Sequence, residues 1–304
     1  LGNQWRYEHN AQGKLIRKVS PKGHVWRYCY DSRSRKIAEI APGGEATQFF
    51  YNHYGQLSER QSPDGSIMRY DYNRMGLVSR IVDAEGREWR NDYNSFGRLL
   101  SQYDPASGTK QLHYDRHGRV ICIEHSNGHS QRYWWDEHGL LAAYQDGEAI
   151  TRYSYDELGE INGIINSDGW VTQFKRDRSG NIIEVAEYPQ TNPEQHRCLS
   201  IDYDWAGRPT SFTDALDRTY TLVYQGLAQP VQYIRPDGSW LKFQYDKERN
   251  LTAIERSDGV SYCLEYDSEE QIQKTIGFDG RTQEYQYDGQ GRLISLAEQG
   301  ERLV

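Results

Sequence analysis

The sequence predicts an all-β protein of about 14 β-hairpin repeats, each about 21 residues long, laid side by side as one curved antiparallel sheet. Three observations carry that expectation. Tyrosine recurs at a fixed step, apolar and polar residues alternate ahead of it, and turn signals rich in Asp and Gly punctuate the chain twice per step. A four-stranded propeller blade has twice this length, so a seven-bladed propeller is the competing architecture. Odd and even repeats show no systematic difference, which weighs against blades.

The strong copies of the recurring pair are Tyr30-Asp31, Tyr114-Asp115, Tyr155-Asp156, Tyr203-Asp204, Tyr245-Asp246, Tyr266-Asp267 and Tyr287-Asp288. Weaker copies begin at Tyr7, Tyr51, Tyr72, Tyr93, Trp135, Arg176 and Tyr224. Nearly every step is 21 residues; the step from Arg176 to Tyr203 is 27, through an insertion near 187–197 whose Tyr188-Pro189-Gln190-Thr191-Asn192-Pro193 composition reads as a surface loop. So regular an array predicts a single continuous structure over residues 1–304.

Within a unit, apolar residues ahead of the key aromatic alternate with polar ones. Tyr70 and Tyr72 flank Asp71, and Phe243 and Tyr245 flank Gln244. Period two with aromatics is a half-buried strand. A turn of the form Asp-x-x-Gly follows, as in Asp115 to Gly118, Asp156 to Gly159, Asp204 to Gly207 and Asp288 to Gly291. The Asp side chain accepts from backbone N–H groups ahead of it, and Gly tolerates positive φ. A second strand then runs to a second turn, such as Pro63-Asp64-Gly65 or Pro236-Asp237-Gly238. Its main apolar slots are three apart (Val120 and Ile123, Ile161 and Ile164, Leu251 and Ile254), which breaks strict alternation; a bulge or a strong twist accounts for that spacing.

The formal charge of -8 argues against a nucleic-acid partner, which selects a basic stripe. No stretch approaches the apolar length of a membrane span, and no N-terminal segment reads as a signal peptide. The chain opens with Leu1 rather than Met, as a piece cut from a longer protein would. Cys29, Cys122, Cys198 and Cys263 lie far apart without metal spacing and are expected to be unpaired thiols in strands.

Nucleophile-elbow, phosphate-loop and zinc-protease motifs are absent, so no catalytic residue and no cofactor is expected. The repeat Tyr, Asp and Gly residues have structural work in strands and turns. His117 and His138 occupy the same turn slot in neighbouring units and are the weak candidates for a metal site, while His125 and His129 are four apart; solvated turn histidines are the plainer reading. The aromatics two residues before the key position (Tyr28, Tyr70, Tyr133, Tyr153, Tyr285, Phe49, Phe174 and Phe243) read as a sheet face of cross-strand pairs, or else as a sugar-binding platform.

The Tyr-Asp-x-x-Gly-Arg-Leu pattern, in Tyr287 to Leu293 and nearly so in Tyr114 to Val120, resembles the YD repeat of the Rhs family, and the resemblance runs from about Trp5 to Leu296. It implies a spiralling sheet that winds into part of a hollow shell enclosing a C-terminal toxin cargo. It further implies secretion or delivery by a bacterial system, and partners in the cargo and the remainder of the shell. Arg176 in place of the aromatic, Lys36 in an apolar slot and the degenerate Tyr224-Gln225-Gly226-Leu227-Ala228 depart from the pattern. No Asp-Pro-x-Gly-Leu segment closes the chain, and Asp104-Pro105-Ala106-Ser107-Gly108 occupies an ordinary second-turn position. The alternative reading is an extracellular adhesion or carbohydrate-binding module using the repeated tyrosines. Unpaired terminal strands also predict edge-to-edge self-association.

Overall fold

The computed structural model describes residues 4–226, 228–298 and 301–303. Among these residues there are 29 β-strands, of three to eight residues each, and no helix. Contacts group the chain into two units. One comprises Leu1–Ser107, Tyr245–Ile254 and Val260–Val304; the other comprises Gly108–Gln244 and Glu255–Gly259.

In the second unit every strand from Gly108–Tyr114 to Trp240–Tyr245 pairs antiparallel with the one before and the one after it. In the first unit the same unbroken ladder runs from Arg6–His9 to Leu99–Asp104. It runs again from Ser261–Tyr266 to Glu301–Leu303. A propeller would interrupt the ladder after every fourth strand, so the blade architecture is excluded within each unit.

The irregular spacing of the apolar slots has a regular cause. In every first hairpin for which both strands pair within a unit, the register slips by one residue just before the key aromatic. His113 faces Cys122 but Tyr114 faces Val120, leaving Ile121 unpaired. Likewise Asp71 faces Arg80 but Tyr72 faces Val78, and Ser154 faces Gly163 but Tyr155 faces Ile161. This is a β-bulge at a fixed place in the repeat, and it returns Val120 and Ile123 to the same face.

Both turn classes close in the same way. Gly118 N donates to Asp115 O at 3.0 Å and Asp115 N to Arg119 O at 2.9 Å. Gly65 N donates to Ser62 O and Ser62 N to Ser66 O. This is a type I turn followed by a left-handed residue, so the Gly after Asp serves the fourth position rather than a two-residue hairpin. The insertion differs from a plain loop. Tyr188 and Pro189 prolong the strand Ile182–Pro189, facing Val171 and Trp170, and only the residues after them leave the ladder.

Almost nothing is deeply buried. Val19 is the one buried hydrophobic side chain among the described residues, and the accessible surface is 20015 Å². A compact protein of 35.5 kDa would expose about 13,000 Å². Each unit is therefore a single layer of sheet whose apolar face has no second layer packed on it.

Candidate interaction surfaces of the repeat sheet

The key aromatic ends its strand and reaches back to the preceding repeat. Tyr30, Tyr51, Tyr72 and Tyr93 donate their hydroxyls to the carbonyls of Leu15, Lys36, Leu57 and Val78, at 2.7–3.0 Å. Tyr155, Tyr203, Tyr266 and Tyr287 do the same to Leu141, Ile182, Leu251 and Ile272. Each accepting residue opens a bulged strand, at a point the ladder to the next repeat does not reach. The Cys122–Arg132 pair, for example, ends the ladder before Val120. A carbonyl stranded by the bulge thus meets a donor supplied by the following unit. Trp135 Nε1 donates to Val120 O at 2.9 Å and the Arg176 guanidinium to Ile161 O at 3.1 Å, so the two weak copies perform the same task with different groups. The slot demands a donor on a long side chain, which is why none of the seven phenylalanines stands in it. Tyr114 and Tyr245 close their strands at the same position.

The repeat Asp builds the turn. Asp115 Oδ1 accepts from the amides of His117 and Arg119, and Arg119 returns its guanidinium to Asp115 Oδ2 at 2.7 Å. Asp31 with Arg35, Asp204 with Arg208 and Asp288 with Arg292 repeat this closed arrangement. Burial in the turn raises the Asp115 pKa, but the Arg119 amide and guanidinium outweigh it and hold the carboxyl below its ordinary value. Asp156 and Asp246 accept from the amides of Glu160 and Asn250. Gly118, Gly159, Gly207 and Gly291 all carry positive φ.

The two faces of the sheet differ in chemistry. The key aromatics, the rings two residues before them and the aliphatic slots share one face: Tyr70 faces Ile81, Tyr153 faces Ile164, and Phe174 faces Val185. Lys36, in an apolar slot, lays its stem on this face with Nζ 4.8 Å from the Phe49 ring centroid and 2.7 Å from Glu39. Phe212, Tyr220 and Tyr233 stack in sequence, with centroids 4.7 and 6.0 Å apart and planes within 10°. The opposite face carries cross-strand ion pairs, such as Arg80 with Asp71 and Glu88, and Arg90 with Glu88. Hydrogen bonds from Arg80 and then Arg90 pull the Glu88 pKa down to about 2.

His117 Nε2 accepts from Arg116 Nε at 3.0 Å, and His138 Nε2 lies 3.7 Å from Glu137. Among the described residues no three His, Cys, Asp or Glu side chains are placed to hold a metal ion. His125 and His129 flank a second turn, with ring centroids 5.6 Å apart, and His129 Nε2 lies 2.5 Å from Asp146. All four cysteines are free. No helix is long and apolar enough to cross a membrane.

One constellation escaped the sequence. In the first unit, the second-turn tip Ser20 to His24 seats on first turns more than two hundred residues downstream. Lys22 Nζ lies 2.6 Å from Asp267 Oδ2 and 3.9 Å from Glu269, and His24 Nδ1 lies 2.9 Å from Glu269 Oε1. The adjacent first turn presents Gly289, where an added Cβ would stand 3.1 Å from both the His24 ring and Pro42. Tips and first turns therefore interdigitate. The Asp267 and Glu269 side chains are 7 and 8% exposed there. Burial raises the Asp267 pKa, yet Lys22 and the amides of Gln271 and Glu269 bring it below the ordinary carboxylate value. The available signals, a Gly at 289 and the doublet Glu269-Glu270 where a Gly is usual, do not specify a partner.

Comparison with known proteins agrees with this construction. Residues 66–195 match the family model described as Teneurin YD-shell. The chain is 27% identical over 147 residues to a "Probable deoxyribonuclease RhsB" of Dickeya dadantii (strain 3937), covering 48% of this chain and 10% of that protein. It is 24% identical over 159 residues to a "Double-stranded DNA deaminase toxin A" of Burkholderia cenocepacia (strain H111), covering 52% of this chain and 11% of the other. The chain thus spans about a tenth of the length of the curated relatives it matches. Among solved structures, TcdB2-TccC3 without its hypervariable C-terminal region superposes with a TM-score of 0.80 at 14% identity, over 97% of this chain and 18% of the other. The TcdB2-TccC3-Cdc42 structure gives 0.74 at 14% identity, over 97% and 20%.

Proposed function

Because the chain belongs to the Rhs/YD-repeat family, we propose that it is a stretch of shell wall, one continuous repeat array that encloses a C-terminal toxin domain for delivery to competing cells. Its role is structural. It holds a cargo by steric enclosure and turns over no substrate, and its partners are the cargo and the rest of the same shell. Secretion or delivery by a bacterial system follows from that role.

The observation that carries this reading is the single-layer sheet, tied repeat to repeat through backbone carbonyls with almost no core. A wall must be stable without a second layer, because the space behind it belongs to the guest. The repeat achieves this with bonds along the sheet rather than packing across it. The aromatic face argues against a sugar platform where it is densest, since Phe212, Tyr220 and Tyr233 stack on one another and cover their own ring faces.

Small-angle X-ray scattering tests the proposal. A profile fitting a hollow or open curved wall is expected, and a compact solid particle would refute it.

A further inference from the structure

The seating of Ser20 to His24 between first turns defines a kind of socket, and the same sheet carries another with nothing in it. Successive first turns leave a groove between them, because two hairpin strands separate them by about 10 Å. In the C-terminal repeats of the first unit that groove is occupied: His24 touches both Glu269 of one first turn and Gly289 of the next. Between the first turns at Asn52 to Gln56 and Asn73 to Leu77 lies an open groove of about 740 Å³, lined by Tyr54, Met75, Arg74, Tyr70 and Tyr72. Tyr54 and Met75 are 78 and 47% exposed. Tyr54 and Met75 hold the turn position at which Glu269 reaches His24 in the occupied socket.

The difference in those residues says what each socket accepts. Glu269 and Asp267 receive a basic tip, Lys22-Gly23-His24. Tyr54 and Met75 offer an apolar and aromatic seat with one cation, Arg74, at its mouth. Prolines pack well on aromatic and thioether surfaces, and an Asp beside a proline would meet the guanidinium. This chain has two second-turn tips of that composition, Pro63-Asp64-Gly65 and Pro236-Asp237-Gly238, with the prolines and aspartates exposed. We infer that the groove between Tyr54 and Met75 is a docking site for a Pro-Asp-Gly second-turn tip, supplied by a second copy of this chain. The contact continues a type of interface the molecule already makes within itself. It is head-to-tail, so it does not close on itself and builds concentration-dependent oligomers rather than a single dimer. The inference stands apart from the shell reading, because it needs only the rims of the sheet.

The test is sedimentation velocity of the full chain over a hundredfold concentration range. The wild-type chain is expected to associate, and Arg74→Glu to weaken that association at least tenfold. A chain carrying Asp64→Arg and Asp237→Arg should restore association when mixed with the Arg74→Glu chain, although each fails alone. Arg74 is an exposed turn residue, so an unchanged urea midpoint separates lost docking from lost folding. A wild-type chain that stays monomeric throughout overturns the inference. So does association that survives Arg74→Glu but is abolished by Glu8→Pro in the first strand, which would assign it to edge pairing instead.

Discussion

The first turns at Asp115 and at Asp267 share one backbone and are stabilised in different ways. In both, the Asp side chain accepts two turn amides, and a backbone bond links its own N–H to the residue four ahead. At Asp115 the balancing cation is Arg119 in the same turn, and Gly118 takes the left-handed position at φ 83°. At Asp267 the residue four ahead is Gln271, the cation is Lys22 from a distant repeat, and Glu270 holds φ 64°. One turn is self-contained; the other is completed by its neighbour. A turn can give up its own arginine and glycine where a docked partner supplies charge and over-determines the backbone.

The largest effect that sharpens this contrast is at Lys22. Lys22→Ala leaves Asp267 and Glu269 nearly buried without their cation. Loss of a partner from a fully buried pair costs several kcal/mol; with Lys22 a third exposed, about 2 kcal/mol is expected in urea denaturation. Arg119→Ala, in an exposed turn, should move the midpoint far less. Next comes the donor that ties repeats together. Tyr155→Phe should cost about 1–1.5 kcal/mol by stranding the Leu141 carbonyl, whereas Arg176→Tyr should be tolerated because the new hydroxyl reaches the same acceptor.

The Lys22 effect must also depend on pH. Asp267 has a depressed pKa in the folded chain, so it contributes stability above its unfolded value of about 4, and that contribution is lost as pH falls through the folded value. The gap between wild type and Lys22→Ala, measured by urea midpoints from pH 6 to pH 3, should therefore close in acid. A gap that widens in acid would break the comparison. The smallest effect expected is a gain: Glu270→Gly removes the side chain from a left-handed position and should stabilise by about 0.5–1 kcal/mol in the same assay. Gly118→Ala should be destabilising.

Whatever recurs every 21 residues was legible in the sequence. The strands, both turns and the role of Asp and Gly depend on neighbours within a few positions, so local pattern specifies them. The bulge left its mark as Val120 and Ile123 three apart, although only the register of Tyr114 against Val120 separates it from twist. The tyrosine hydroxyl bond was hidden, because the acceptor is a backbone carbonyl that every residue carries. Its trace was the presence of Trp135 and Arg176 where an aromatic rule alone would have allowed phenylalanine. The Lys22–Asp267 contact was invisible because no periodicity links residues so far apart. The open groove at Tyr54 and Met75 gave no signal either, since exposed turn residues vary freely in a repeat.

The central claim is that the chain is held by bonds along a single sheet rather than by a packed core, and calorimetry tests it most directly. Ordinary globular proteins gain about 12–15 cal/mol/K per residue on unfolding, which for a chain of this length is about 4 kcal/mol/K. Because so little apolar surface is withdrawn from water, the heat-capacity change of this chain should fall well below that figure. A change at or above it would mean that the apolar face is covered, and would contradict the account.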